Sequence, residues 1–178
     1  MPLKEDFIQL KAFARIDGLI LAVVWICSFA AVLFIPQSQI GLFLSISTPF
    51  VVGNRVLHFR NTILEGLISF RRAFAYSIYI FLYASLLFAV AQFAYFSLID
   101  NGQFASMLLS TEEPTAQLYA QWGVPASEIH NAIASFLALK PIELVLLFMF
   151  QNIFIGLILS FFIALLCAKS KPIRQFGH

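Results

Sequence analysis

The sequence predicts an all-α protein, an integral membrane four-helix bundle with short amphipathic helices in the outer loop between its third and fourth spans. Three observations predict it. Hydrophobic residues make up 61% of the 178 positions and charged residues 11%, against about 45–50% and about 25% in soluble domains. Four long stretches carry little or no charge, and each approaches the about 20 helical residues that cross a bilayer. The basic residues fall on alternate connections between those stretches, as the positive-inside bias requires. The length suits a single four-span membrane domain over residues 1–178.

The first span is expected over residues 18–35. The amphipathic segment 3–16 before it reads as lying on the inner leaflet and turning in at Asp17-Gly18. The lead-in is long and no small-x-small site precedes a polar mature start, so this helix reads as retained rather than cleaved. The second span is expected over residues 40–59. It contains Pro49, which lacks a backbone donor and kinks a helix, and Arg55, which can lift its guanidinium to the headgroups. The rival reading of this stretch is a re-entrant loop, which would leave three spans and place the termini on opposite sides. The third span is expected over residues 73–99 and the fourth over 141–168, with Glu143 in its first turn.

Orientation follows from the flanks. Lys4, Lys11 and Arg15 precede the first span, Arg55, Arg60, Arg71 and Arg72 surround the second connection, and Lys169, Lys171 and Arg174 follow the last span. Those ten of the eleven basic residues share one side of a four-span chain. The other side has the Pro36-Gln37-Ser38-Gln39 turn and the outer loop 100–140, with Asp100, Glu112, Glu113 and Glu128 against Lys140 alone. Both termini are therefore expected in the cytoplasm, with the chain in a bacterial inner membrane. Within the outer loop, residues 126–139 place Ile129, Ile133, Phe136 and Leu137 on one helical face. Residues 115–122 read as a second short helix, stopped by Gly123 and Pro125.

Two stripes of small residues recur every four positions: Gly41, Ser45, Pro49 and Gly53 in the second span, and Gly156, Ser160, Ala164 and Ala168 in the fourth. Such stripes let helix backbones approach closely in lipid, either with each other or with a second copy of the chain. The competing reading is compositional chance. Ser28, Thr48 and Asn152 fall at similar depth and form a candidate midplane polar layer, Asn152 lying about 16 Å into its helix. Gln151 adjoins it and Gln92 sits nearer the outer side. Interhelix hydrogen bonds explain such groups, and a water or substrate path is the sharper alternative. Arg55, Arg60, Arg71 and Arg72 are candidate contacts for anionic lipid headgroups, though positive-inside anchoring alone predicts the same residues.

Several classes of chemistry have no support. No Asp, Glu, Lys, Arg or His is expected deep in a span, which argues against ion-coupled transport. There is no HExxH, GxSxG, phosphate-binding glycine loop or Cys/His cluster. His58 and His130 are expected on opposite sides. Cys27 and Cys167 both lie in apolar runs, so neither a disulfide nor a metal site is expected. No catalytic residue, cofactor or metal is assigned, and a net charge of +2 does not suggest nucleic acid. The expected partners are membrane lipids and either a homo-oligomer or another membrane protein.

The layout resembles a family of small bacterial membrane proteins, common in the Bacteroides group, known as domain of unknown function 4199. The residues that carry the resemblance are Ala14-Arg15-Ile16-Asp17-Gly18-Leu19-Ile20-Leu21 at the first span, and Gly66, Ser69-Phe70 and Ala73-Phe74 leading into the third. The amphipathic outer loop adds to it, as do Pro141, Asn152-Ile153 and Gly156 in the fourth span. The resemblance implies a four-span inner-membrane protein and no established activity. The leading functional expectation is a structural, interaction or accessory membrane protein that is not an enzyme. The alternative is a small oligomeric transporter or channel, and the third reading is a lipid-acting membrane enzyme. A continuous polar cavity would favour the second, and a water-accessible acid, base or nucleophile the third.

Overall fold

Helix α1 (Pro2–Phe34) passes through Asp17 and Gly18 without a break. The computed structural model describes residues 2–35 and 38–169, with side chains from residue 7 onward. The expectations for Pro36-Gln37, Lys171 and Arg174, and for the side chain of Lys4, lie outside that description. The expected turn at Asp17-Gly18 is corrected by two contacts. Gly18 has no Cβ, and one added there would stand 2.7 Å from Tyr83 Cβ and 3.1 Å from the Ile80 carbonyl, so the glycine serves helix approach instead of a turn. Asp17 finds its partners inside the protein, as shown below. The segment before it stays helical because Leu10 and Ala14 are buried, Phe13 packs on Phe59 at 5.7 Å and Phe7 on Tyr79 at 5.8 Å. At 1.5 Å per residue such a helix is about 50 Å long, beyond the about 30 Å of hydrocarbon in a bilayer.

The second stretch is a bent pair, α2 (Ile40–Ile46) and α3 (Thr48–Thr62), which meet at Ser47 with a 42° bend. Pro49 falls in the first turn of α3, where its missing N–H leaves no bond unmade. The pair runs antiparallel to α1 along most of its length. Gly41 sits against Ser28 and Val32, Thr48 meets Trp25, Arg55 meets Asp17 and Phe59 meets Phe13. The pair therefore runs beside α1 from Ser28 to Phe13, and together it makes a candidate span broken at Ser47.

At the connection to α4 the backbone turns through positive φ at Glu65 and Gly66. Helix α4 (Phe70–Ala94) continues into a π-helical turn, Tyr95–Ile99, which Asp100 closes by accepting from the Tyr95 hydroxyl at 3.1 Å and the Phe104 N–H at 3.2 Å. Three short helices follow: α5 (Gln103–Ser110), α6 (Glu112–Ala120) and α7 (Ala126–Leu137). Two of them were expected and α5 was not. The half-buried side chains of α7 include Ile129, Ile133, Phe136 and Leu137, and Phe136 packs on Phe104 and Phe148. Helix α8 (Pro141–Cys167) opens with Glu143 accepting the Lys140 N–H at 2.8 Å.

Helices α1, α4 and α8 are each long and apolar enough to cross a membrane, and the bent pair makes a fourth candidate. Among the described residues there is no strand, only one isolated bridge between Ile68 and Lys169. That bridge, together with Arg60 donating to the Cys167 carbonyl at 3.0 Å, gathers Arg15, Arg55, Arg60, Arg71, Arg72 and Lys169 at one end, the arginine end. Helices α5–α7, with Glu112, Glu113 and Glu128, cover the other, the loop end.

Candidate functional site

Two kinds of side-chain contact decide how the four long elements close on one another. At the arginine end they close tightly. Arg55 Nε donates to Asp17 Oδ1 at 2.7 Å, and the Tyr76 hydroxyl donates to Asp17 Oδ2. The Asp17 side chain is 4% exposed and that of Arg55 27%. Phe59 stacks on the Tyr76 ring at 4.2 Å. Val52, Val56, Ile163 and Ala164 are buried just beyond, and α3 packs against α8 here. Arg55 thus gives its Nε–H to a carboxylate inside the bundle, the partner that a buried charge needs, and keeps part of its side chain exposed. Arg60 turns to the end of α8 and to Asn61, Arg72 lies 5.9 Å from the Phe59 ring centroid, and Arg71 is exposed. The four arginines therefore do not converge on one pocket.

Towards the loop end the elements part. Helix α2 packs along α1 and α8 packs along α4, so the bend at Ser47 leaves a wedge between α2 and α8. It encloses a cleft of about 520 Å³. Trp25, Ser28 and Phe29 line one wall, with Ser45, Thr48 and Pro49 at the bend. Phe81, Phe88 and Gln92 of α4 form the back, Phe148, Gln151, Asn152 and Ile155 of α8 the far wall, and Phe104 and Met107 of α5 cover the loop end. No lining side chain is ionisable.

Ser28, Thr48 and Asn152, the expected polar layer, all line this cleft but do not bond to one another. Ser28 donates to the Gly41 carbonyl at 2.7 Å and shares a 2.8 Å hydrogen bond with Ser45. Thr48 accepts from Trp25 Nε1 at 3.0 Å. Asn152 faces them across the space and has no hydrogen bond among the described residues. Sequence reasoning missed Trp25 as the partner of Thr48. Its signal was available, since a buried indole N–H needs an acceptor. It also passed lightly over Gln92, which is 3% exposed, lines the cleft and leaves its Oε1 buried without a partner.

The small-residue stripes behave differently from each other. A Cβ at Gly41 would stand 2.5 Å from Val32 Cγ2 and 2.9 Å from the Ser28 carbonyl, so that stripe approaches α1. Ser45 is exposed, Pro49 lines the cleft, and a Cβ at Gly53 would meet nothing within 4 Å. At Gly53 the carbonyl lies 3.8 Å from Cys167 Sγ, and no backbone within the chain presses on its Cα. Gly156, Ser160 and Ala164 are all buried. The group over Gly156 is the Phe81 ring of α4, 2.5–2.8 Å from a built Cβ. At Gly156 the neighbour of that stripe is therefore α4, while α3 also packs against α8 further along.

Among the described residues no group of His, Cys, Asp or Glu could hold a metal ion, and both cysteines are free. His58 lies near Thr62 at the arginine end, and His130 pairs with Glu112 at 2.8 Å at the loop end. No curated protein and no solved structure matches the chain. A family profile described as "Protein of unknown function (DUF4199)" does match, over residues 17–169. That range runs from the buried Asp17 to the Lys169 bridge and takes in the cleft and the packed arginine end, so the chain belongs to the DUF4199 family.

Proposed function

We propose that the chain is a multi-pass protein of the bacterial inner membrane, with both termini cytoplasmic, that works as an accessory or interaction component and catalyses no reaction itself. The observation that supports this best is the blind end of the cleft. Towards the arginine end the lining reaches no further than Pro49 and Leu159, and Val52, Val56, Ile163 and Ala164 are buried on that side, with the Asp17, Arg55 and Tyr76 cluster. A conducting pathway needs an opening at both ends, and a lipid-acting enzyme needs an acid, base or nucleophile in reach of its substrate. The cleft offers amides and hydroxyls with no base beside them. The split of basic and acidic residues between the two ends supports the cytoplasmic placing of the arginine end. Its partners in this reading are membrane lipids, with Arg60, Arg71 and Arg72 near anionic headgroups, and a second copy or another membrane protein. Nucleic acid and cofactors have no place in it.

Reconstitution tests the reading. Vesicles carrying the purified chain should release small uncharged solutes no faster than empty vesicles, and mild-detergent extraction should bring down a stoichiometric membrane-protein partner or a homo-oligomer. Protein-dependent release would overturn it in favour of a small passive transporter, the reading that the polar lining of the cleft supports second.

A further inference from the structure

The cleft carries hydrogen-bonding capacity that the protein itself does not use. Gln92 is almost wholly buried and its Oε1 has no partner, while Asn152 and Gln151 line the same space without a hydrogen bond to any described residue. Buried amides are normally satisfied, so the buried Gln92, with half-buried Asn152 and exposed Gln151 idle beside it, points to a missing partner. The hydroxyls of Ser28, Ser45 and Thr48 in the lining already have partners, and the remainder is mostly apolar, with Trp25, Phe29, Phe88, Phe104 and Phe148 around it. The volume of about 520 Å³ falls inside the range of about 300–1,000 Å³ for small-molecule sites.

We propose that this cleft binds an uncharged lipid with a hydroxyl head, the hydroxyl lying between Gln92 and Asn152 and the apolar tail leaving between α2 and α8. This rests on the reading of the chain as a membrane-embedded binding component. A carboxamide both donates and accepts, and so does a hydroxyl, so the match holds for either orientation of the amide. A phosphate head would lose its hydration among side chains that include no cation, which disfavours ordinary phospholipids. The exposed Ser45, Gln151 and Ile155 mark the mouth on the side where α2 does not close on α8. A ligand can enter there from the lipid phase without crossing the loop end. Diacylglycerols and polyprenols share this chemistry.

The test uses the full chain in lipid nanodiscs, with Trp122, which is exposed in the outer loop, changed to Phe so that Trp25 is the single indole. Brominated diacylglycerol should quench Trp25 saturably at mole fractions where brominated phosphatidylcholine quenches only in proportion to its amount. Unlabelled polyprenol should reverse the quenching if the site prefers the isoprenoid, and excess unlabelled diacylglycerol should do so if it prefers the glyceride. Gln92→Leu and Asn152→Leu should each weaken the saturable phase about tenfold, the scale of one lost buried hydrogen bond. Gln92→Leu removes an unpartnered group and should fold at least as well as the parent, and Gln151→Leu at the mouth is a second variant that leaves the packed core alone. Equal quenching by both brominated lipids, or saturable quenching that none of the three variants alters, would overturn the proposal. Solute release by the reconstituted chain would remove the accessory reading while leaving the lipid site standing. Absence of saturable quenching would remove the site alone.

Discussion

Asp17 and Arg55 meet at 2.7 Å across a sequence separation of 38 residues, with Tyr76 of a third helix donating to the second carboxylate oxygen. One acid thus ties α1 to both α3 and α4. Removing one member of a buried pair leaves the other unpaired, at a cost of about 3–5 kcal/mol, whereas replacing both by apolar groups is often tolerated. Asp17→Leu alone should therefore lower the thermal stability of the detergent-solubilised protein sharply, and Asp17→Leu with Arg55→Met should recover most of it. Tyr76→Phe should cost less, about 1.5–3 kcal/mol for one hydrogen bond to a charged group. A double variant no more stable than Asp17→Leu would show that the pair is incidental to folding.

The close approach of α8 to α4 gives a second prediction. With Phe81 lying 2.5–2.8 Å from any Cβ at position 156, Gly156→Leu must drive the ring or the helix away, and overpacking of this kind costs about 1–3 kcal/mol or more. Leu157 is exposed, so Leu157→Ile should leave stability unchanged. Gly156→Leu with Phe81→Ala tests the pairing directly: rescue locates the clash in α4, and failure to rescue would mean the leucine collides with something else.

Topology can be read by labelling single cysteines in a background where Cys27 and Cys167 are replaced by Ala. Cysteine at Glu65 should react only with reagents that reach the cytoplasm, and cysteine at Glu112 or Glu128 with impermeant reagents added outside. The expectation rests on the ten-to-one split of basic residues and on the course of α2 and α3 beside α1. Labelling of position 65 from outside would invert or break the four-span arrangement. Lys4 and Arg174 should behave as Glu65 does.

The outer helices should depend on one aromatic anchor. Phe136 packs on Phe104 and Phe148, while the pair of His130 and Glu112 is largely exposed and so contributes little. Phe136→Ala should increase proteolysis within residues 100–140 at unchanged core stability, and His130→Ala should not. Equal protease sensitivity of the two variants would place the anchoring elsewhere.

Much of the layout was legible because lipid leaves a chain few options. A charge-free stretch must satisfy its own backbone, so helices 141–168 and 73–99 were readable within a few residues. The helical character of residues 40–59 was readable too, although Pro49 signals a bend without saying that the break falls at Ser47. What the pattern withheld was partnership. Gly156 and Ser160 announce a close neighbour, but only packing shows that it is α4 and that a phenylalanine ring fills the gap. Asp17-Gly18 looked like a helix boundary because its two stabilising contacts, Arg55 and Tyr83, come from distant sequence. Helix α5 was missed because its start depends on Gly102 in a positive-φ conformation after a π-helical turn. Of the candidate site, Ser28, Thr48 and Asn152 were named from depth alone, while the wedge that makes them one surface arises from the 42° bend.

The pairing of Asp17 with Arg55 also sets an order of events during synthesis. The acid leaves the ribosome 38 residues before its arginine, an interval of about 2–8 s at about 5–20 residues per second. Throughout it, the Asp17 carboxylate lacks its Arg55 partner, close to the Gly18 surface that α4 has yet to cover. We expect the insertion machinery to hold α1 until α3 brings Arg55 to it. A nascent chain stopped before Arg55 should remain bound to that machinery, and one stopped beyond Thr62 should partition into the bilayer.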